Sequence, residues 1–181
     1  MKKTVLVLLL AALAAYGCKV RQPDTQSANQ ALQQAKGPAP DFDLVNVAGG
    51  KLKSSDIKGK VTIVDFWATW CVPCIQEIPN FNKLHTKYDG KGVQMLAITL
   101  ESGPLADIKP KVEKFKMQYP VLVGDDKVVE GFGGVIGFPT TFIVTKDWKI
   151  YKKYLGITPS KAEKIEKDVE ALLAQESAPT D

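Results

Sequence analysis

Histidine occurs once and cysteine three times in the 181 residues. A tetrahedral zinc site takes four ligands, mostly thiolate or imidazole, so a site here would have to recruit carboxylates or distant side chains. Basic runs interleaved with aromatics are also missing. The 24 basic and 20 acidic residues alternate in mixed order to a net charge of +4, which argues against nucleic acid as a partner. No apolar run reaches the roughly 20 residues that a membrane-spanning helix needs. Against these absences stands an ordinary globular balance of 45% hydrophobic, 24% charged and 8% aromatic residues. That is enough for one core of about 140 residues with extensions, and it excludes a multi-domain or wholly disordered chain.

Residues 1–17 read as a signal peptide: Lys2-Lys3, an apolar run from Val5 to Ala15, then Gly17. Cys18 after a small residue resembles the lipobox of bacterial lipoproteins, whose cysteine is acylated and becomes the mature N-terminus. That implies a lipoprotein on the outer side of the cytoplasmic membrane, facing the periplasm. Ala15 and Tyr16 depart from the usual box, so cleavage after Ala14 or Ala15, giving a soluble periplasmic protein, stays open. Lipidation would account for the odd cysteine. Lys19–Pro40 is rich in Gln, Ala, Ser and Pro, with only Val20 and Leu32 as large apolar residues, too few to offset its ordering entropy. Residues 18–37 are accordingly read as a lipidated or flexible tether, 38–175 as the domain and 176–181 as a disordered tail.

Within the domain, Asp41–Val47, Gly49-Gly50 and Lys51–Lys53 suggest a short hairpin before the main sheet. Val61–Trp67 is almost continuously apolar, as a central strand covered on both faces should be. Ile75, Ile78, Phe81, Leu84 and Tyr88 recur at helical spacing, and Val93–Leu100 is the next strand, giving a parallel crossover unit. A charged helix carrying Ile108, Val112, Phe115 and Met117 follows, then a strand at Val121–Val123 and a helical turn from Lys127 to Phe132. Thr140–Thr145 and Ile150–Leu155 form an antiparallel hairpin. Thr158-Pro159 supplies an N-cap and first-turn proline for a last helix with Ile165, Val169, Leu172 and Leu173 on one face.

Trp70-Cys71-Val72-Pro73-Cys74 falls where the central strand ends and the first long helix begins. Unpaired amides and the positive helix end there favour thiolate over thiol on Cys71. A thiolate attacks disulfides, and Cys74, on the same turn, can then attack the mixed disulfide and release a reduced client. Pro73 keeps the turn rigid. Covalent haem attachment would need histidine after Cys74, where Ile75 stands. A zinc reading would have to draw on Cys18 and His85, in a tether and on a helix. A merely structural bridge of so short a loop gains little entropy. Redox chemistry is therefore expected, with no metal and no cofactor beyond the Cys71–Cys74 dithiol/disulfide.

The segment Val64–Cys74, with Pro79 in the following helix, resembles the active-site segment of thioredoxin-fold proteins. Gly137-Phe138-Pro139-Thr140-Thr141-Phe142 resembles that fold's cis-proline loop. Pro38–Phe42, the hairpin after it and the insertion before Pro139 narrow the resemblance to the membrane-tethered TlpA/ResA-like thiol-disulfide oxidoreductases, over about residues 38–175. It implies an α/β thioredoxin-like three-layer α/β/α fold with an N-terminal β-hairpin and a central α-β-α insertion. It also implies clients that are protein disulfides or dithiols, apocytochrome c among them, and electrons from a membrane thiol carrier of the CcdA/DsbD type. Membrane association would be through the lipid on Cys18.

Several residues carry both a functional and a plain structural reading. Pro139 either forms a cis bond, offering a strand-like edge to a bound peptide, or is an ordinary trans proline opening a strand. Asp65 interrupts an apolar central strand, where burial should raise its pKa; the resemblance implies a proton acceptor for Cys74. Glu101 matches the glutamate that ResA-like proteins place near their cysteines, or is simply an exposed strand-end residue. Trp70 and Phe138, with Pro73 and Pro139, are expected to bind substrate. Phe66 and Trp67 are expected in the core, and His85 on a helix surface.

Other functions remain as alternatives. A peroxiredoxin-like thiol peroxidase needs a threonine three residues before its cysteine and a proline seven before, where Ala68 and Val64 stand. A disulfide-forming oxidase usually carries a histidine between its cysteines, where Val72-Pro73 stands. A redox-inactive adaptor on the same fold would not need both cysteines.

Overall fold

The computed structural model describes residues 37–175. The expected signal peptide at 1–17, the expected lipidation at Cys18 and the stretches read as tether, up to residue 36, and as tail, at 176–181, lie outside the described residues.

Strand β4 (Val61–Trp67) is buried at every residue, because it has a strand on each side and side chains packed over both faces. Its neighbours are β5 (Val93–Thr99), parallel, and β7 (Thr140–Val144), antiparallel. Beyond β5 come β6 (Val121–Val123), parallel, and then β2 (Asp43–Asn46) and β3 (Lys51–Lys53), both antiparallel. Beyond β7 come β8 (Lys149–Leu155) and β1 (Gly37–Pro38), completing one eight-stranded sheet. The hairpin β2–β3 is thus part of the sheet edge. Leu44 and Val47 beside it are each 4% exposed, apolar area that a free hairpin would leave in water.

Helix α1 (Val72–Tyr88) follows β4, and α2 (Leu105–Lys114), α3 (Asp126–Gly131) and α4 (Lys161–Gln175) complete the fold. On one face of the sheet, Val61, Ile63 and Trp67 pack with Phe81, Leu84 and Tyr88 of α1, Ile108 of α2, and Ile165 and Val169 of α4. On the other, Val64 and Phe66 meet Val128 of α3, Phe132, Phe142 and the leading residues Ala39 and Phe42. Phe66 meets Phe132 and Phe142 edge-on at 5.3 and 5.7 Å. The layers are α/β/α, with α2–β6–α3 as the insertion. Among the described residues no helix is long and apolar enough to cross a membrane.

Three sequence expectations shift. Composition assigned Gly37 to the tether and left Pro38–Pro40 in a loose stretch, yet Gly37 pairs with Ile150 and the Ala39 amide donates to the Trp148 carbonyl at 2.9 Å. A Cβ on Gly131 would stand 2.3 Å from Pro40 Cβ, so α3 packs directly on this strip. Backbone pairing needs no apolar side chain, which is why composition misses it. Met117 lies beyond α2, because the chain turns at Lys116 with φ 56°. Thr158-Pro159 precedes α4 by a turn; the Thr158 carbonyl accepts from the Lys161 amide at 3.1 Å.

Candidate active site

The chain leaves β4 at Trp67 and turns so that the Cys71 amide donates to the Ala68 carbonyl at 3.0 Å. Cys71 then caps α1: its sulfur accepts from the Cys74 amide at 3.2 Å, and Pro73 occupies the first turn, where no amide partner is needed. Cys71 and Cys74 are disulfide-bonded with Cα atoms 5.3 Å apart. A thiolate on Cys71 would keep the Cys74 amide and the positive helix end as its stabilising groups.

The two sulfurs differ in access. Both are buried, at 5% and 2% exposed, but Cys71 lines a groove of about 530 Å³ and Cys74 does not. Trp70, Val72 and Ile136 rim this groove and are 58%, 62% and 78% exposed, an apolar surface of the kind that marks a binding site. Pro73 and Phe138 also line it. The Phe138–Pro139 peptide is cis, the conformation expected from the resemblance. Trp70 ties the cysteine turn to the neighbouring loops: its ring meets Phe138 edge-on at 5.7 Å, and its indole N–H donates to the Glu101 carbonyl at 2.9 Å. Glu101 sits just past β5 with φ 50° and lines the groove with an exposed side chain. Its structural contribution is the backbone carbonyl that holds Trp70.

That turn is fixed from below. Ser102 Oγ accepts from the Thr69 amide at 3.0 Å and from the Thr99 hydroxyl at 2.6 Å, and donates to the Leu100 carbonyl. Lys111 Nζ donates to the Thr69 hydroxyl at 3.2 Å.

Beneath the cysteines lies a group of buried ionisable side chains. Alternation along β4 puts Asp65 on the face of Ile63 and Trp67, which also packs Cys71 and Cys74. Asp65 is 3% exposed and accepts from the Thr141 hydroxyl at 2.7 Å. Burial raises its pKa to about 7, against the lowering pull of the Lys161 charge and the Thr141 bond. On α1, one turn past Cys74, Glu77 is also buried and raised by desolvation. Its carboxylate accepts from Lys161 Nζ at 2.9 Å, and Lys161 is 2% exposed. The Tyr119 hydroxyl is buried without a hydrogen-bond partner, and burial together with the charges of Asp65 and Glu77 pushes it well above its ordinary range.

The sequence reading singled out neither Glu77 nor Lys161. Their signal is a charge on each of two apolar helix faces: Glu77 between Cys74 and Phe81 on α1, and Lys161 in line with Ile165, Val169 and Leu172 on α4. The opposite signs point to a pair. His85 is half-buried, its ring edge-on to Tyr119 at 6.2 Å. Among the described residues, no group of three or more His, Cys, Asp or Glu side chains could hold a metal ion.

Residues 35–153 match the AhpC/TSA family. The chain is 33% identical to the thiol-disulfide oxidoreductase ResA of Bacillus thuringiensis (strain Al Hakam) over 129 residues, 71% of this chain and 74% of that one. It is 31% identical to the thioredoxin-like protein YneN of Bacillus subtilis (strain 168), over 89% of this chain and 94% of that protein. Among solved structures, a putative thiol:disulfide interchange protein DsbE from Chlorobium tepidum superposes with a TM-score of 0.71 at 31% identity, covering 78% of this chain and 99% of that one. ResA is named for the thiol-disulfide exchange that a helix-capping cysteine and its partner behind the groove can perform, and the chain belongs to the AhpC/TSA family as a ResA-like, thioredoxin-fold thiol-disulfide oxidoreductase acting on protein disulfides or dithiols.

Proposed function

We propose that this oxidoreductase works outside the cytoplasm as a reductase of protein disulfides. The observation that carries this is the asymmetry of the two cysteines: Cys71 lines an apolar, client-sized groove while Cys74 lies behind it. In the reduced protein, the Cys71 thiolate attacks a client disulfide seated on Trp70 and Phe138. Cys74 loses its proton to Asp65 and attacks Cys71 Sγ, and the client leaves reduced. The Cys71–Cys74 dithiol is itself the electron carrier, with no separate cofactor. Electrons return from a membrane thiol carrier of the CcdA/DsbD type, and the client is the Cys-x-x-Cys-His segment of an apocytochrome c; both follow from the ResA-like resemblance. Ala68, 0% exposed, offers no hydroxyl where a peroxidase needs one.

A helix-terminal thiolate without a neighbouring histidine should belong to a reducing couple. The chain's one histidine lies fourteen residues, about 21 Å, further along α1. Equilibration against glutathione followed by thiol counting should give a potential of roughly −200 to −300 mV. A value near about −120 mV would make the protein an oxidase instead.

Export and anchoring are the second part of the proposal, with Cys18 acylated and residues 18–36 spanning from membrane to domain. Mass spectrometry of the mature N-terminus should find a lipid-modified Cys18, and Cys18→Ser should leave the catalytic domain folded and active in solution. An unmodified start near Ala15 would leave Cys18 a free thiol and remove the anchor.

A further inference from the structure

Two lysines are buried among the described residues, and only one of them has a carboxylate beside it. Lys161 is paired with Glu77. Lys153, 8% exposed, has no carboxylate partner among the described residues, and desolvation lowers its pKa. A buried ammonium without a counter-charge is costly, and an apolar side chain of similar length would fill the same space without that cost.

The ammonium is held over the aromatic core and reaches the groove wall. Lys153 on β8 stands opposite Phe142 on β7, and its Nζ lies 5.2 Å from the centre of the Phe142 ring. Phe142 packs at 4.8 Å on Phe132, the residue that ends α3. From there Lys153 Nζ donates to the Gly134 carbonyl at 3.1 Å. The apolar stem thus covers the core while the charged head serves the loop.

That loop carries one side of the client groove. It is anchored at its start, where the Gly133 and Gly134 amides donate to the Glu130 and Val129 carbonyls, each at 2.9 Å. It is anchored at its end, where the Thr140 hydroxyl donates to the Gly137 carbonyl at 2.7 Å. Between these points stand Val135 and Ile136, which line the groove. Gly133 and Gly134 have φ of 77° and 86°, and with no Cβ they leave the backbone free to swing. Among the described residues, Lys153 is the one side chain hydrogen-bonded to residues 133–136. Across the groove, Trp70, Val72 and Phe138 present apolar surface, and the Trp70 indole N–H is already bonded to the Glu101 carbonyl.

We propose that Lys153 is a positioning residue for client recognition. Its bond to Gly134 holds the Val135–Ile136 wall at the distance from Trp70 and Val72 that seats an apolar client side chain beside the cysteine under attack. The charged donor gives that bond its strength, which is what a neutral side chain at position 153 would lack.

This inference rests on the reading of the groove as the client's seat, and its test separates the two. The reduced protein is mixed in stopped flow with two disulfide-linked peptide dimers that differ only in carrying Leu or Gly beside the cysteine. Wild type should attack the Leu peptide about tenfold faster, the discrimination a fitted apolar pocket gives. Lys153→Met and Lys153→Leu should each cut that preference below about twofold, with urea midpoints at or above wild type because a buried charge is gone. Ile136→Ala should cut it likewise, and Lys153→Met/Ile136→Ala should lose no more than Ile136→Ala alone, since Lys153 acts through the wall. A full Leu preference in both Lys153 variants would overturn the proposal, as would losses that add in the double variant. A wild-type protein that attacks both peptides equally would remove the apolar seat itself, and the proposal with it.

Discussion

Cys71→Ser should lower insulin-disulfide reduction by at least about a thousandfold, because a serine hydroxyl does not ionise near neutral pH and cannot replace the thiolate. Cys74→Ser should also stop turnover, for a different reason. Its Cys71 remains in the groove and still attacks, but nothing behind it resolves the product. The two variants therefore separate in what they accumulate: Cys74→Ser builds up covalent client complexes and Cys71→Ser does not. Non-reducing gels with thiol-blocked samples read this directly. Equal trapping by both variants would mean that either sulfur reaches the client, which the position of Cys74 behind the groove opposes.

The second large effect is the pH dependence of stability carried by Asp65. Its folded-state pKa of about 7 lies above the ordinary value of 3.8, so between about pH 4 and 7 the folded protein retains a proton that the unfolded chain releases. Folded-state stability from this group is thus highest below about pH 4 and falls as pH rises to 7. The total loss is at most about 4 kcal/mol. Asp65→Asn keeps an acceptor for the Thr141 hydroxyl and removes the buried charge. It should match wild type near pH 4, exceed it by a few kcal/mol at pH 8 and slow resolution most at low pH. Urea midpoints at pH 4, 6 and 8 test the stability claim, and parallel curves for the two proteins would contradict it. Glu101→Gln, at an exposed groove-lining position, should leave the midpoints unchanged.

Why some of this was readable from the chain and some was not follows from where the information lies. Val61–Trp67 declares itself because burial on both faces demands continuous apolarity, and Asp65 stands out against that background. The cysteine pair sits at a strand-to-helix boundary, so its reactivity follows from local structure alone. Strand β1 was missed because two residues paired through their backbones leave no pattern in side chains. The Glu77–Lys161 pair was missed because its members lie 84 positions apart, and each looks alone like one more charge on an amphipathic helix. Only the packing of α4 against α1 makes them partners. Glu101 was expected near the sulfurs from resemblance. It does line the groove, but the carboxylates buried beneath the cysteines are Asp65 and Glu77.

The central claim is that Cys71 is the groove-lining, amide-stabilised nucleophile and Cys74 its resolving partner behind the groove. Limited alkylation of the fully reduced protein with iodoacetamide at pH 6, followed by peptide mass spectrometry, tests it most directly. The structure predicts modification of Cys71 first, with Cys74 largely unmodified until Cys71 is consumed. Labelling of Cys74 first, or of both at equal rates, would contradict it.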